Sequence, residues 1–448
     1  MWLLDTTTLD LVDRVDPDKH YAILSHVWEV EEVSFAELQE NRQRAERKKG
    51  FAKIWNCCQI ARKRFGLSYA WIDTCCIDKR SSAELSEAIN SMYKWYKNAY
   101  VCLVYLHDVR PRSDDGEAHG HQLKEVKSSV WFTRGWTLQE LLAPDVNVYL
   151  AADWSEIERT GRYSQDPDHN AHKLFTASIA DAAHIPENVV SGTSARQYCI
   201  AQRLSWASRR RTTRPEDIAY SLMGLFDVNM PIIYGEGGKK ALQRLQHEVP
   251  ATTRDRSIFA WCMPRGIIGY EATLLASEVG YFAQIPTDFS HGSKEGIPWE
   301  DGLRFLQHSI TNIGIMIMMQ VIEVKEPTVH LQPADPIANH FVLGLIHEYS
   351  SGAIGTHKDI AVGIYLRRLG KAITSTGECE SYARCRCEEL AKVPSELFAG
   401  SPHQYIVIVD HYHGMKQMDL KLPPMRWTTP IESTLQNTSG PNLLWKKF

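Results

Sequence analysis

Over the first 150 residues, short apolar runs alternate with longer amphipathic stretches. YAILS (21–25) is continuously apolar until its serine and predicts a buried strand; the polar HVWEVEE after it predicts a loop. FAKIWNCCQIARKRFG sets Ile54, Trp55, Cys58, Ala61 and Phe65 at helical spacing and closes on Gly66, a helix stop. YAWID (69–73) predicts a second buried strand. In SSAELSEAINSMYKWYKNA, Leu85, Ile89, Met92 and Tyr96 share one helical face, and Ser81 with Glu84 has the spacing of a capping box. VCLVYL (101–106) and VNVYL (146–150) predict a third and a fourth strand. Between them lie a polar loop, RPRSDDGEAHGHQ, and the stretch WFTRGWTLQELLAP (131–144). Strands that alternate with helices in this way predict an α/β layer built on a mostly parallel sheet.

From about residue 173 to 249 the pattern turns helical, in AQRLSWAS, PEDIAYSLMGLF and GGKKALQRLQHEV. Beyond about residue 252 short β-rich runs (HFVLGLI, DIAVGIYLRRL, QYIVIVD) alternate with Gly, Pro and Ser loops. Three regions follow: an α/β domain over 1–170, a helical extension over 171–250 and a β-rich domain over 255–448.

Composition narrows the function classes. The chain has 448 residues, 44% hydrophobic and 23% charged, which is ordinary for a folded protein able to bury a large core. Its net charge of −4 gives no global attraction to nucleic acid or acidic membranes. No apolar run approaches the ~20 residues of a membrane span; IGIMIMMQVIEV is too short. The first residues have neither a basic leader nor a long apolar region, so no signal peptide is expected. The cysteines sit in apolar runs, as Cys57-Cys58 and Cys75-Cys76 do, and read as reduced core thiols of a cytoplasmic protein.

In an open α/β sheet, ligands bind outside the carboxyl ends of the strands. Here those ends carry Ser25, His26 and Trp28, then Asp73 and Asp78, then His107 and Asp108. Trp136 and Glu140, four apart, share a helical face that could start at the same edge. A carboxylate beside an indole there could stack a flat ring and steady a developing positive charge. The competing reading of Glu140 is structural: Thr137 with Glu140 fits a T-x-x-E capping box. Trp131 and Trp136 would then be core packing, Asp73 a loop cap and His26 a hydrogen-bonded structural histidine.

YAILSHVW, YAWIDTCCIDKRSSAELSEAINSMYKWYKNAYVCLVYL and RGWTLQELLAP strongly resemble the fungal heterokaryon-incompatibility (HET) domain. WASRRRTTRPEDIAYSLMGLFDVNMPIIYGEGGKKALQRLQHE is similar to the segment that commonly follows it, so the resemblance covers about residues 1–250. The β-rich remainder looks like an accessory domain often attached to such proteins. The resemblance implies a role in cell death when genetically different hyphae fuse. It also implies a distant kinship to TIR domains, with a flavodoxin-like sheet. Many TIR domains hydrolyse NAD through a glutamate in a W-x-x-x-E pattern, which WTLQE, Trp136 to Glu140, matches. On that basis Glu140 is the catalytic candidate, with Ser25, His26, Trp28, Asp73 and Trp136 lining a pocket for NAD. NAD is then a substrate, and no cofactor or metal is required. Control by self-association or an incompatibility partner protein is expected, without nucleic acid or membrane. The rival implication is a non-catalytic signalling module that assembles partners. One departure is Glu29, which stands where a glycine often follows the tryptophan and narrows the loop that would admit a nucleotide.

Other constellations carry less. YGEGGKKALQRLQ lacks the spacing of a phosphate-binding loop and reads as a turn before a helix. SRRRTTR (208–214) has no interleaved aromatics and reads as a solvated loop or as ion pairing with Glu216 and Asp217. Cys379, Cys385 and Cys387 with His403, His411 and His413 match no zinc knuckle. A Ser-His-Asp hydrolase has no G-x-S-x-G elbow to support it.

Overall fold

A computed structural model describes residues 1–13, 20–112, 118–162, 169–252, 255–264, 274–285, 309–310, 314–323, 341–351, 358–374, 377–384 and 390–409. The chain divides into two compact units. One comprises Met1–Thr252 with Ser277–Ala283, the other Thr253–Ala276 with Gln284–Phe448.

The first unit is built on a seven-stranded mixed sheet. Its strands are β1 (Trp2–Asp5), β2 (Leu11–Asp13), β3 (Tyr21–His26), β4 (Tyr69–Trp71), β5 (Val101–Tyr105), β6 (Val146–Leu150) and β7 (Glu156–Gly161), in the order β2-β1-β4-β3-β5-β6-β7. Only the middle is parallel: β4, β3, β5 and β6 run the same way, whereas β1, β2 and β7 pair antiparallel at the flanks. The parallel strands read as unbroken apolar runs because both of their faces are covered. The added β7, EIERTG, is polar and lies on the edge, so it gives no such run.

Helices α1 (Phe35–Glu40), α2 (Arg42–Glu46) and α3 (Phe51–Phe65) lie between β3 and β4, α4 (Ser82–Asn98) between β4 and β5, and α5 (Ala118–Ser128) and α6 (Thr137–Leu142) between β5 and β6. The segment expected as a polar loop before α6 is therefore partly helix, its final third entering α5. Gly66 closes α3 in the left-handed region, φ 66°, as its position in the sequence predicts. The chain leaves β3 for β4 on one side and returns across β3 to β5 and then β6 on the other. Right-handed crossovers therefore put α3 on one face and α4 and α6 on the opposite face. Strand β3 is where the winding reverses, and the crevice between the ends of β3 and β5 is the topological switch point.

The helical extension follows β7 as α7 (His169–Ala183), α8 (Glu187–Val190), α9 (Ile200–Ser205), α10 (Asp217–Tyr220), α11 (Met223–Phe226) and α12 (Gly238–Thr252). Its glycine loop takes an internal carboxylate: Glu216 accepts from the amides of Gly235 at 2.9 Å and Gly237 at 3.0 Å. Both glycines have positive φ, which lets two amides, one residue apart, converge on one oxygen.

The second unit is β-rich. Strands β8 (Ser309–Ile310), β9 (Gly314–Glu323), β10 (Phe341–Ser351), β11 (Lys358–Thr374), β12 (Gly377–Arg384), β13 (Ala391–Pro394) and β14 (His403–Val409) form one sheet. Pairing runs β10-β11-β12-β14-β9, and β10 also pairs β9, so these five strands close into a ring, with β13 added on β11 and β8 on β9. Leu343, Ala361 and Phe398 pack together within this unit. Cys379 lies on β12 and His403 on β14; Cys385, Cys387, His411 and His413 fall outside the described residues. Among the described residues, no helix is long and apolar enough to cross a membrane.

Candidate active site at the sheet switch point

Strand alternation splits the end of β3 between two faces. Ser25 points to the α4–α6 side, where its Oγ donates to Glu140 Oε2 and accepts from Trp131 Nε1 at 2.8 Å. His26 points to the α3 side, with Nε2 3.7 Å from Glu32 Oε1 and Nδ1 3.9 Å from Asp73 Oδ1. Neither ring nitrogen has a hydrogen-bond partner among the described residues.

Glu140 does not cap α6. The helix starts at Trp136 without a side-chain cap. The Thr137 hydroxyl turns backward, 2.7 Å from the Trp131 carbonyl and 2.9 Å from that of Arg134, to which it donates. It accepts from Arg210 Nη1 at 2.9 Å. The T-x-x-E spacing is present and the capping geometry is absent, because both side chains have better partners in the fold. The Glu140 carboxyl is instead 6% exposed, between Ser25 and Tyr96. Burial pushes it up to about 8, and the charge on Asp73 adds to this. The donors Ser25 and Tyr96, and the Arg210 cation, pull the other way and lose. Glu140 is a neutral acid at pH 7.

The α3 side is charge-dense. Lys53, buried on the apolar stripe of α3, bonds Glu32, the Val27 carbonyl at 3.0 Å and Glu29 at 2.9 Å. Glu29, in the position where glycine was expected, thus ties its loop to α3. Asp73 accepts from Trp28 Nε1 at 2.8 Å, and Lys79 Nζ lies 3.6 Å from the centre of the Trp28 ring. Trp28 is 51% exposed yet held on two sides. Burial raises the Asp73 carboxyl. Burial also lowers the His26 imidazole well below its ordinary value, helped by the Lys53, Lys79 and His107 charges, so His26 is neutral.

The fold therefore gathers Ser25, His26, Trp28, Asp73 and Glu140 around the ends of β3 and β4. Trp136 faces elsewhere: its indole hydrogen-bonds Asp217 of the extension. Asp78 is held by Arg80, and Asp108 accepts from Ser129 Oγ and Val130 N, both as local braces. Cys75 and Cys76 are buried, and burial raises the Cys75 thiol well above its ordinary value, which leaves no thiolate.

Several members of the site carry no sequence motif. Glu32, Lys53 and Lys79 line it. Arg210, fully buried behind α6, reaches the Arg134 carbonyl at 3.0 Å, and burial lowers its guanidinium to about 9 against the pull of Glu140. A lysine inside the apolar stripe of α3 was the available signal for Lys53; Arg210 is hidden within a basic run. Gly135 is explained by the same packing. A Cβ there would lie 2.4 Å from Thr212 Cγ2, where the backbone pairs with Arg211.

Residues 21–119 match the family described as heterokaryon incompatibility protein (HET). Ser25, His26, Trp28 and Asp73 fall inside that segment, Trp136 and Glu140 beyond it. The vegetative incompatibility protein HET-E-1 of Podospora anserina is 42% identical over 231 residues, 51% of this chain and 16% of that protein. The chain thus spans about a sixth of the length of the curated relative it matches. No solved structure gives a match. Residues 21–119 are thus the segment of this chain that is similar to the heterokaryon incompatibility (HET) family, and about half of the chain is similar to HET-E-1.

Proposed function

We propose that this chain is a fungal incompatibility effector, active in the cytoplasm, whose HET domain cleaves the nicotinamide–ribose bond of NAD. The observation that carries the reading is Glu140: a desolvated carboxyl at the sheet switch point, bonded to Ser25 and not to its own helix end. The parallel strands, taken as β4-β3-β5-β6, follow the flavodoxin-like order 2-1-3-4, which supports kinship to TIR domains.

The chemistry follows from charge. The bond from ribose C1′ to the pyridinium nitrogen breaks, and its electron pair neutralises the ring, so nicotinamide leaves without needing a proton. Positive charge passes to an oxocarbenium-like ribose, as in glycoside hydrolysis, and water then adds to C1′ and releases a proton. Glu140 serves as the carboxylate that stabilises the cation. The arriving pyridinium favours loss of the proton that burial otherwise retains. Ser25 holds one carboxylate oxygen, and Asp73 and His26 face the ribose side. The Glu140 carboxyl is buried, so engagement of a substrate requires local movement around it. Purified protein incubated with NAD tests the reading through nicotinamide release that a Glu140→Gln variant lacks.

A second reading, a non-catalytic assembly module that triggers cell death through partners, is favoured by Trp28 and by Val30, 85% exposed in the loop after β3. Self-association through that loop is compatible with either reading.

A further inference from the structure

At the end of β5, on the His26 face of the sheet, the fold builds a stacked aromatic pair that the sequence pattern does not announce. Tyr105 ends β5, paired in register with His26 across the switch point. Its ring stacks on Trp154, with centroids 4.2 Å apart and planes within 10° of parallel. The Tyr105 hydroxyl donates to the Ala152 carbonyl at 3.1 Å, which fixes its ring against the loop after β6. Tyr105 is 9% exposed and Trp154 partly exposed, so the indole is the outer ring of the pair.

Trp154 is held in the left-handed region, φ 69°. A bulky side chain there is a strained outlier of the kind that clusters at ligand sites. Packing alone would be served at lower cost by asparagine or glycine in the backbone and an aromatic elsewhere. The Glu29 and Asp153 carboxylates both act on Tyr105; Glu29 is also paired with Lys53, and Asp153 is the chain neighbour of Trp154. A partly exposed indole attracts a flat cation through its ring face.

We propose that Trp154, backed by Tyr105, is a stacking subsite for a positively charged heteroaromatic ring of the pyridinium class. The subsite lies on the His26 side of the crevice. This deepens the proposed function and rests on it for the identity of the whole substrate, since NAD carries such a ring. It does not rest on it for ring binding.

The test uses 1-methylnicotinamide, a pyridinium cation without a ribose to cleave, added to the full-length protein. A stacked indole–pyridinium pair gives a long-wavelength charge-transfer band, and binding is followed through that band and by calorimetry. The wild type is expected to show saturable binding and the band, with neutral nicotinamide binding about tenfold or more weaker. Trp154→Asn deletes the ring while suiting the left-handed backbone, and is expected to lose the band and weaken binding about tenfold or more. Trp154→Phe is expected to restore binding. Equal binding of the cation by wild type and a folded Trp154→Asn variant overturns the subsite, as does no binding by wild type. Equal affinity for nicotinamide overturns its preference for a cation. If 1-methylnicotinamide binds through Trp154 but NAD is never cleaved, the subsite stands and the glycohydrolase reading fails. If NAD is cleaved with KM indifferent to Trp154→Asn, the reverse holds.

Discussion

A carboxyl group whose pKa is raised to about 8 in the fold, against an ordinary value near 4.5, couples folding to pH. Between those two values the unfolded chain has lost the proton that the folded chain keeps. Stability from this group is therefore whole below the ordinary carboxylate range, falls as pH rises and levels off above about 8. The slope is at most about 1.4 kcal/mol per pH unit. Glu140→Gln replaces the neutral acid with a neutral amide of similar shape. Urea unfolding at several pH values is expected to show the variant losing less stability than wild type from pH 5 to 8. Parallel curves for the two proteins would mean that Glu140 is ionised in the fold. Under the proposed glycohydrolase reading catalysis has the opposite dependence, because the reactive form would be the carboxylate. The ratio kcat/KM for NAD is expected to climb with pH and level off near 8, and a profile flat from pH 6 to 9 would contradict that assignment. Ser25→Ala strips Glu140 of a donor and orphans Trp131 Nε1. A loss of about 1–3 kcal/mol is expected in denaturant unfolding, as for any buried polar group left without its partner.

Among the elements, the strands at the centre of the sheet were legible because burial on both faces leaves an unbroken apolar run, as in YAILS and VCLVYL. The polar edge strand β7 gave no such signal, and the final third of the loop before α6 is helix because α5 packs on α7. The T-x-x-E spacing misled for a physical reason. A capping box is a local preference worth about 1 kcal/mol, and Thr137 and Glu140 both found tertiary partners in Arg210 and Ser25. Ser25, His26 and Asp73 could be placed at strand ends from the pattern alone. Their division between two faces needed the crossover directions, and the hydrogen bond of Trp136 to Asp217 depends on how the extension packs, which leaves no local mark. The packing of the RGW turn on the segment around Arg211 makes a sharp test. Gly135→Ala puts a methyl against Thr212 Cγ2 and is expected to cost about 1–3 kcal/mol, as overpacking does. Thr212→Ser removes that methyl and should recover most of the loss in the double variant; additive losses would mean that the contact is not the cause.

For the molecule as a whole, an α/β layer followed by a β-rich region was foreseeable from the change of pattern near residue 252. The sheet of the first unit, however, is mixed, with antiparallel flanks, and not mostly parallel as expected. Closure of the second sheet into a ring was not foreseeable, since strand pairing over long separations leaves no local mark. Under the proposed function the site would be silent until triggered, and the burial of the Glu140 carboxyl fits that. The decisive measurement is nicotinamide release from NAD by purified protein over a wide concentration range, beside a folded Glu140→Gln variant. The expected result is turnover that rises with protein assembly and disappears in the variant. No release from concentrated, assembled wild type, or equal release from the variant, would contradict catalysis by Glu140; the first outcome would favour the assembly module.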